Sequence, residues 1–474
     1  MKKVLYLLLI LQNAAVASNI TTEAQLRTNW AAGGSHTIAG GTYNLGGNLS
    51  NNGFDLALVP TGNVIIDGGG IRTITARDGT FNIGDASGQY TITFQNTYQN
   101  VLDFIAQTKV TIVNLYYVTV RDGSAGFNLV HTRAGYGYPL TLNADHCLVY
   151  RTVRDTTSDG FNMDNGGGSY LDAHTHNLIN CVIYNCGNNA VTAHGTNQTI
   201  YATGCIFHDC ETPVGTDGDS KVYLISCTIY NGLGSHLVSL SSNASLFVDS
   251  CYFYNPTATK YHINHGSTGR LLIKNSVFNG QGSNPNGAVY TKSNRALIEN
   301  CVFSNIVSNN YPTAIVFSGE EGVVDYCTFY NCYDGLRARK RTQVTNCIFS
   351  KITGSALKDD DKSYFYNQPT CGNNVFHDCN VAIAAFAGSG IKATDITDDP
   401  LFLDPAAGDF RLQPESPCFR TGSQVPGNSM LNKGRTTRGA WQALSDNIAD
   451  LNGDGMVNFV DFSIFAEQWL WTIE

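Results

Sequence analysis

One short phrase returns along the middle of this chain at nearly even steps. It reads Asn-Cys-Val-Ile-Tyr-Asn at 180–185, Ser-Cys-Thr-Ile-Tyr-Asn at 226–231, Tyr-Cys-Thr-Phe-Tyr-Asn at 326–331 and Asn-Cys-Ile-Phe-Ser at 346–350. Cys181, Cys205, Cys227, Cys251, Ser276, Cys301, Cys327, Cys347 and Asn374 form one column, with successive differences of 20 to 27 residues. A period of that size belongs to stacked supersecondary units, each of which buries its apolar face only against the next. Two residues after each Cys stands Ile or Phe (Ile183, Phe207, Ile229, Phe253, Phe278, Phe303, Phe329, Phe349, Phe376), and the residue between varies freely. This is the alternation of a strand with one face buried. Four residues after the Cys comes Asn or Asp: Asn185, Asp209, Asn231, Asn255, Asn305, Asn331 and Asp378. Both types tolerate left-handed backbone, so this column marks a corner repeated in every unit.

Repeats of this length with like residues in register resemble the right-handed parallel β-helix family. There each repeat is one coil, and equivalent side chains pile into Cys, Phe and Asn ladders. The resemblance runs from Asn19 to Ala443 and implies an all-β fold, a right-handed parallel β-helix (solenoid). It implies no single activity, since the scaffold hosts lyases, hydrolases, epimerases, adhesins and passive binding modules.

The ends differ from the middle. Met1 to Ala17 has a basic start at Lys2 and Lys3, an apolar core from Val4 to Leu11 and an Ala15-Val16-Ala17 cleavage site. It reads as a signal peptide, with the mature chain starting at Ser18 and the protein secreted or held at the cell surface. No run approaches the ~20 apolar residues of a membrane-spanning helix. The formal charge of −9 becomes −11 once Lys2 and Lys3 are removed (−9 − 2). That balance argues against nucleic acid as a partner and leaves room for an anionic polysaccharide at a local basic groove. Thr22 with Gln25 makes a capping box ahead of a short helix through Trp30, expected to cover the open end of the first coil. The Asp399–Pro417 stretch resembles the closing segment of secreted β-helix proteins, with Gly439-Ala440-Trp441 as a last strand.

Beyond a linker lies Asp450-Leu-Asn452-Gly-Asp454-Gly-Met456, continuing to Asp461. It is a calcium loop: oxygen donors at positions 1, 3 and 5, Gly at 6, a carbonyl from Met456 at 7 and a carboxylate at 12. With the following apolar helical pattern it resembles one calcium-binding repeat of a dockerin. Dockerins carry two such repeats and this chain one, with Phe459 and Val460 where cohesin-reading Ser or Thr often sit. The resemblance implies a cell-surface or cohesin-like partner. The expected order is therefore a signal peptide (1–17), a β-helix (18–443) and a small helical calcium repeat (444–474).

All 14 Cys lie in the mature chain. Most occupy the inward column, where they are expected as small buried hydrophobes in reduced form. Cys371, Cys379 and Cys418 fall outside it and are the candidates to pair.

Two groups of residues carry candidate chemistry. Aligning the coils places Asp164, His194, Asp217, His265, Lys292, Arg339 and Asp360 on one outward stripe, with neighbouring coils ~4.8 Å apart. Asp159, Asp164, His194 and Asp217 bring carboxylates beside imidazole, as general acid–base work or a metal site requires. The 165–176 insertion, with His174 and His176, lies next to them, and loops on a rigid stack are where function is commonly added. The second group is basic: Arg337, Arg339, Lys340, Arg341 and Lys358. In a polysaccharide lyase, a Lys or Arg abstracts the proton alpha to a uronate carboxyl while a cation, calcium in several β-helix lyases, neutralises that carboxyl. Outward Tyr184, Tyr230 and Tyr252 could stack on sugar rings. A solvated polar face that keeps the stack soluble accounts for the same residues. Two functions follow: a lyase acting on a uronate-containing polysaccharide, or a non-catalytic glycan-binding or cell-surface module displayed through its calcium repeat.

Overall fold

The computed structural model describes residues 18–440 apart from 135–136, 152–157, 165–172, 255–260, 281–285, 308–311, 340, 360–361, 363, 369, 385–389, 420 and 423–437. The stretches read as a signal peptide and a calcium repeat, with Asn255, Asp360, Trp441 and most of the insertion, lie outside the described residues. The chain divides into two compact units, Met1–Ser245 and Leu246–Glu474. The division falls within the stretch read as one β-helix.

In the first unit, successive strands pair in parallel with strands one coil away and build three ladders. The phrase read from the sequence lies where two of them meet. His174–Ile179 pairs with Gln198–Thr203, and Val182–Tyr184 with Ile206–His208. The Cys column sits at the corner between them. Cys181, Cys205 and Cys227 are buried, and each thiol donates to a carbonyl of the preceding coil (Ala144, Leu178 and Ala202, each 3.4 Å). A small side chain with a weak donor suits such a corner. The Asn/Asp column is left-handed as expected, with φ between 53° and 54° at Asn185, Asp209 and Asn231. The residue before the Cys is left-handed too, even where it is Asn180 or Ser226 (φ 51° and 53°).

The helix Glu23–Ala32 begins at Thr22 with the full capping box, Gln25 answering the Thr22 hydroxyl. Leu26 and Trp30 are its buried residues. Trp30 sets its ring edge against Phe94 (6.3 Å) and donates its indole N–H to the Thr75 carbonyl.

The second unit repeats the parallel pattern, and here the Phe column becomes a continuous stack. Phe253, Phe278, Phe303, Phe329, Phe349 and Phe376 are partners across successive strands, their ring centroids 4.6–5.4 Å apart and their planes within 12° of parallel. Ser276 and Asn374 replace Cys in the corner column without losing its hydrogen bonding. The Ser276 hydroxyl donates to Lys274 O and accepts from Cys251 N, while Asn374 Oδ1 accepts from Cys347 N.

The chain then folds back along the outside of this unit. The hairpin Phe402–Asp404 and Asp409–Leu412 places Phe402, Phe410 and Leu412, with Cys418 and Ala440, over Val302, Tyr330, Ile348 and Val375. Arg438 pins the segment, its buried guanidinium donating to the carbonyls of Asn374, Thr394 and Thr421. Gly439 and Ala440 form a bend rather than the expected last strand. They are held by Asn346 O and the Thr328 hydroxyl. All 14 Cys are free thiols, Cys371, Cys379 and Cys418 included, so the pairing expected of those three is corrected.

Candidate functional site

Three of the expected site residues meet in the first unit. Strands Val130–Ala134, Phe161–Asp164, Asn189–His194 and Thr212–Asp217 are parallel neighbours, and their register places Arg133, Asp164, His194 and Asp217 side by side. Inward alternates such as Val191 and Val214 anchor the strands in the core, so the outward residues stand on a rigid floor. His194 and Asp217 are about half exposed, and Asp217 Oδ2 accepts the His194 Nδ1–H at 3.0 Å. The second Asp217 oxygen accepts from Gly195 N at 3.1 Å, which fixes the carboxylate. With its proton held on Nδ1, His194 has Nε2 as its acceptor, 3.5 Å from the Thr192 hydroxyl, the arrangement of an oriented general base.

Two residues earlier on the same strands, and so on the same face, runs a row the sequence did not suggest: Asp103, His131, Asn162 and Thr192. His131 Nδ1 lies 2.7 Å from Asp103 Oδ1, and its Nε2 lies 3.8 Å from Asp164 Oδ2. Burial alone would push this imidazole down. The Asp103 and Asp164 carboxylates outweigh burial and lift it above its ordinary value, so the two acids favour the protonated ring.

Asp159 has a different place from the one expected. It is buried, with Oδ2 accepting from the Asn162 amide (2.7 Å) and Oδ1 from Asn189 N (2.9 Å). Burial pushes its carboxyl up, and the hydrogen bonds and the nearby His194 only partly offset this. It braces Asn162 and the start of the next strand. It does not present an oxygen to solvent.

His174 and His176 point into the core instead of folding over the site. Both Nε2 atoms reach the Thr132 hydroxyl, at 2.8 and 2.6 Å, and burial drives both rings toward the neutral form, His176 to about 3. His265 is likewise buried, its Nδ1 3.1 Å from the Thr291 hydroxyl. It pairs with Thr291, not with Lys292, so the stripe expected through His265 and Lys292 is off by one residue.

The basic group lies in the second unit. There Lys358 is the strand partner of Arg337, not of Arg339, and its ammonium sits 3.3 Å from the buried Asp334 carboxylate. Arg339 is half-buried just past the strand end. The outward tyrosines also differ from expectation. Tyr150, Tyr184, His208 and Tyr230 stack on one another at 4.7–4.9 Å, so both faces of Tyr184 are already covered. Among the described residues no cluster of three His, Cys, Asp or Glu side chains is arranged to hold a metal.

A family model described as the right-handed beta helix region matches residues 143–303 and, overlapping, 262–398. Those matches together span more than half of the chain. This protein belongs to the right-handed β-helix family. No curated protein matches it. Among solved structures, the β-helix is similar to the crystal structure of pectate lyase Pel9A, with 10% identity, TM-score 0.32, and coverage of 88% of this chain and 94% of that one. It is also similar to a PL6-family polysaccharide lyase from Pseudopedobacter saltans, with 10% identity, TM-score 0.25, and coverage of 85% and 97%. At that level of likeness the chemistry of this β-helix has to come from its own side chains. No helix among the described residues is long and apolar enough to cross a membrane.

Proposed function

We propose that this β-helix protein acts on polysaccharide as a lyase on a uronate-containing glycan, with His194 as the base. The observation that carries the reading is the Asp217–His194 pair, a half-exposed imidazole with Nδ1 fixed by a carboxylate and Nε2 3.5 Å from the Thr192 hydroxyl. In the step proposed, Nε2 takes the proton alpha to the uronate carboxyl. The electron pair left behind closes a carbon–carbon double bond, and the glycosidic oxygen leaves, receiving the proton that His194 has taken. No water is consumed.

The same proposal has the chain exported through residues 1–17, with the helix Glu23–Ala32 closing the first coil. Residues 444–474 hold calcium on Asp450, Asn452, Asp454, Met456 and Asp461. These offer the hard oxygen donors calcium takes, and they present the protein to a cell-surface or cohesin-like partner.

The test is incubation with a panel of polysaccharides while following the ultraviolet absorbance of unsaturated uronate and the release of reducing ends. His194→Ala should abolish turnover and leave the unfolding transition within about 0.5 kcal/mol of the parent, as befits a half-exposed side chain. Full activity in His194→Ala rejects the base assignment. Glycan binding by the parent without any turnover selects the non-catalytic module instead.

A further inference from the structure

The row that contains His194 continues in the other direction along the first unit. Arg77 pairs with Ile105, Ile105 with Arg133, Arg133 with Asp164, and Asp164 with His194. Outward residues therefore run cation, apolar, cation, acid, imidazole, acid along the stack. Arg133 is exposed and forms no ion pair with any described residue, although Asp164 is on the next rung. His131 supplies the reason. It occupies the space between Asp103 and Asp164 and draws both carboxylates toward itself, with Asp103 at 2.7 Å. Arg77 is half-buried, donates to the Gln107 side chain at 3.4 Å and keeps a buried Nε without a partner. Two rungs separate Arg77 from Arg133, roughly 9.6 Å, with the apolar Ile105 side chain between them.

A guanidinium fork matches a carboxylate in geometry as well as charge. We propose that Arg133 reads a carboxylate of the glycan and Arg77 a second one, so that the glycan lies along this row, across the strands, with the reacting sugar at His194. The inference rests on the reading of His194 as base, and it names the two residues that make the protein specific for acidic over neutral glycan.

The test uses the full chain and two forms of one polymer, polygalacturonate and its methyl ester, which lacks the charge. Binding is read by affinity electrophoresis and, where turnover occurs, by KM and kcat. Arg133→Gln should weaken binding of polygalacturonate about tenfold or more, raising KM with kcat nearly kept. Arg133→Lys should recover only part of the loss, and Arg77→Gln should give a smaller loss. Binding of the methyl ester should be weak in the parent and unmoved by these variants, and their thermal unfolding should match the parent. Tight binding of polygalacturonate by Arg133→Gln, or equal losses on the methyl ester, overturns the proposal, as does failure of the parent to bind polygalacturonate. His194→Ala separates the two readings, because it should bind polygalacturonate like the parent. If the parent binds through Arg133 yet turns nothing over, the lyase reading and the place of a reacting sugar at His194 fall, and the carboxylate contacts of Arg133 and Arg77 stand.

Discussion

His262 allows a single-residue test of how the second unit responds to acid. Its ring is fully buried, lies 6.2 Å from the Phe278 ring, and has no hydrogen-bond partner on either nitrogen. Burial disfavours the imidazolium and pulls the group down to about 4, against about 6.5 in an unfolded chain. Between those values the unfolded state holds more protons than the folded one, so stability falls as pH falls through the window. At pH 7 both states are largely neutral and the residue is almost silent. At pH 5 the unfolded histidine is nearly all protonated and the folded one is not, a loss of about 2 kcal/mol. Below the folded value the loss levels off at roughly 3–4 kcal/mol. His262→Leu removes this titration and two unpartnered buried nitrogens, so it should be neutral or stabilising at pH 7. At pH 5 it should gain about 2 kcal/mol more over the parent. Urea unfolding of both proteins at both pH values gives the double difference, in which everything that titrates alike cancels. A double difference near zero would show that the folded ring reaches water or a partner, and the burial argument would be wrong.

Asp325 works in the opposite direction. Burial, followed by the charge of Glu299, lifts it to about 6, so its favourable contribution is present below the unfolded value near 3.9 and lost as pH rises through 6. Asp325→Asn keeps an acceptor for Thr345 and Asn346, and should be more stabilising at pH 8 than at pH 4 by about 3 kcal/mol; no pH dependence in paired unfolding curves refutes it. Phe303→Ala opens the middle of the Phe stack and should cost about 3–5 kcal/mol in the same measurement, whereas a loss under 1 kcal/mol would mean the rungs close over the gap. Chelating calcium should loosen residues 450–474 to protease and leave the main unfolding transition nearly unchanged; a large drop in that transition would place a second calcium site on the coils. Thiol titration of unfolded, unreduced protein should count all 14 Cys, and a shortfall of two or more would reveal a disulfide.

How far the sequence could be read depended on which strand of each coil was in question. Cys205, Phe207 and Asp209 fall within five residues of one another, with no variable loop between them, so the column, the ladder and the corner were all legible from spacing. The strand that carries the site is reached only after a turn of changing length. Counting from Cys251 to His265 crosses a stretch whose length changes from coil to coil, and a slip of one residue carries a side chain from the outer face to the core, which is what separates His265 from its expected place. Asp164, His194 and Asp217 escaped the slip because Phe161, Val191 and Val214, each three residues earlier, repeat the same inward position in all three coils. His131 and Asp103 lie before the Cys column begins, on strands whose inward residues include Thr132 as well as Val130 and Ala134. A polar residue in the core masks the alternation. Stepping back one coil from Asp164 to Arg133 would have exposed both the missed imidazole and the arginine row. His174 and His176 were misread for the same reason. Their strand continues the inward column of Leu140 and Leu142, so these two imidazoles are core residues held by Thr132. The alternation reports which face a residue takes, and only the neighbour on the next coil reports what that face is for.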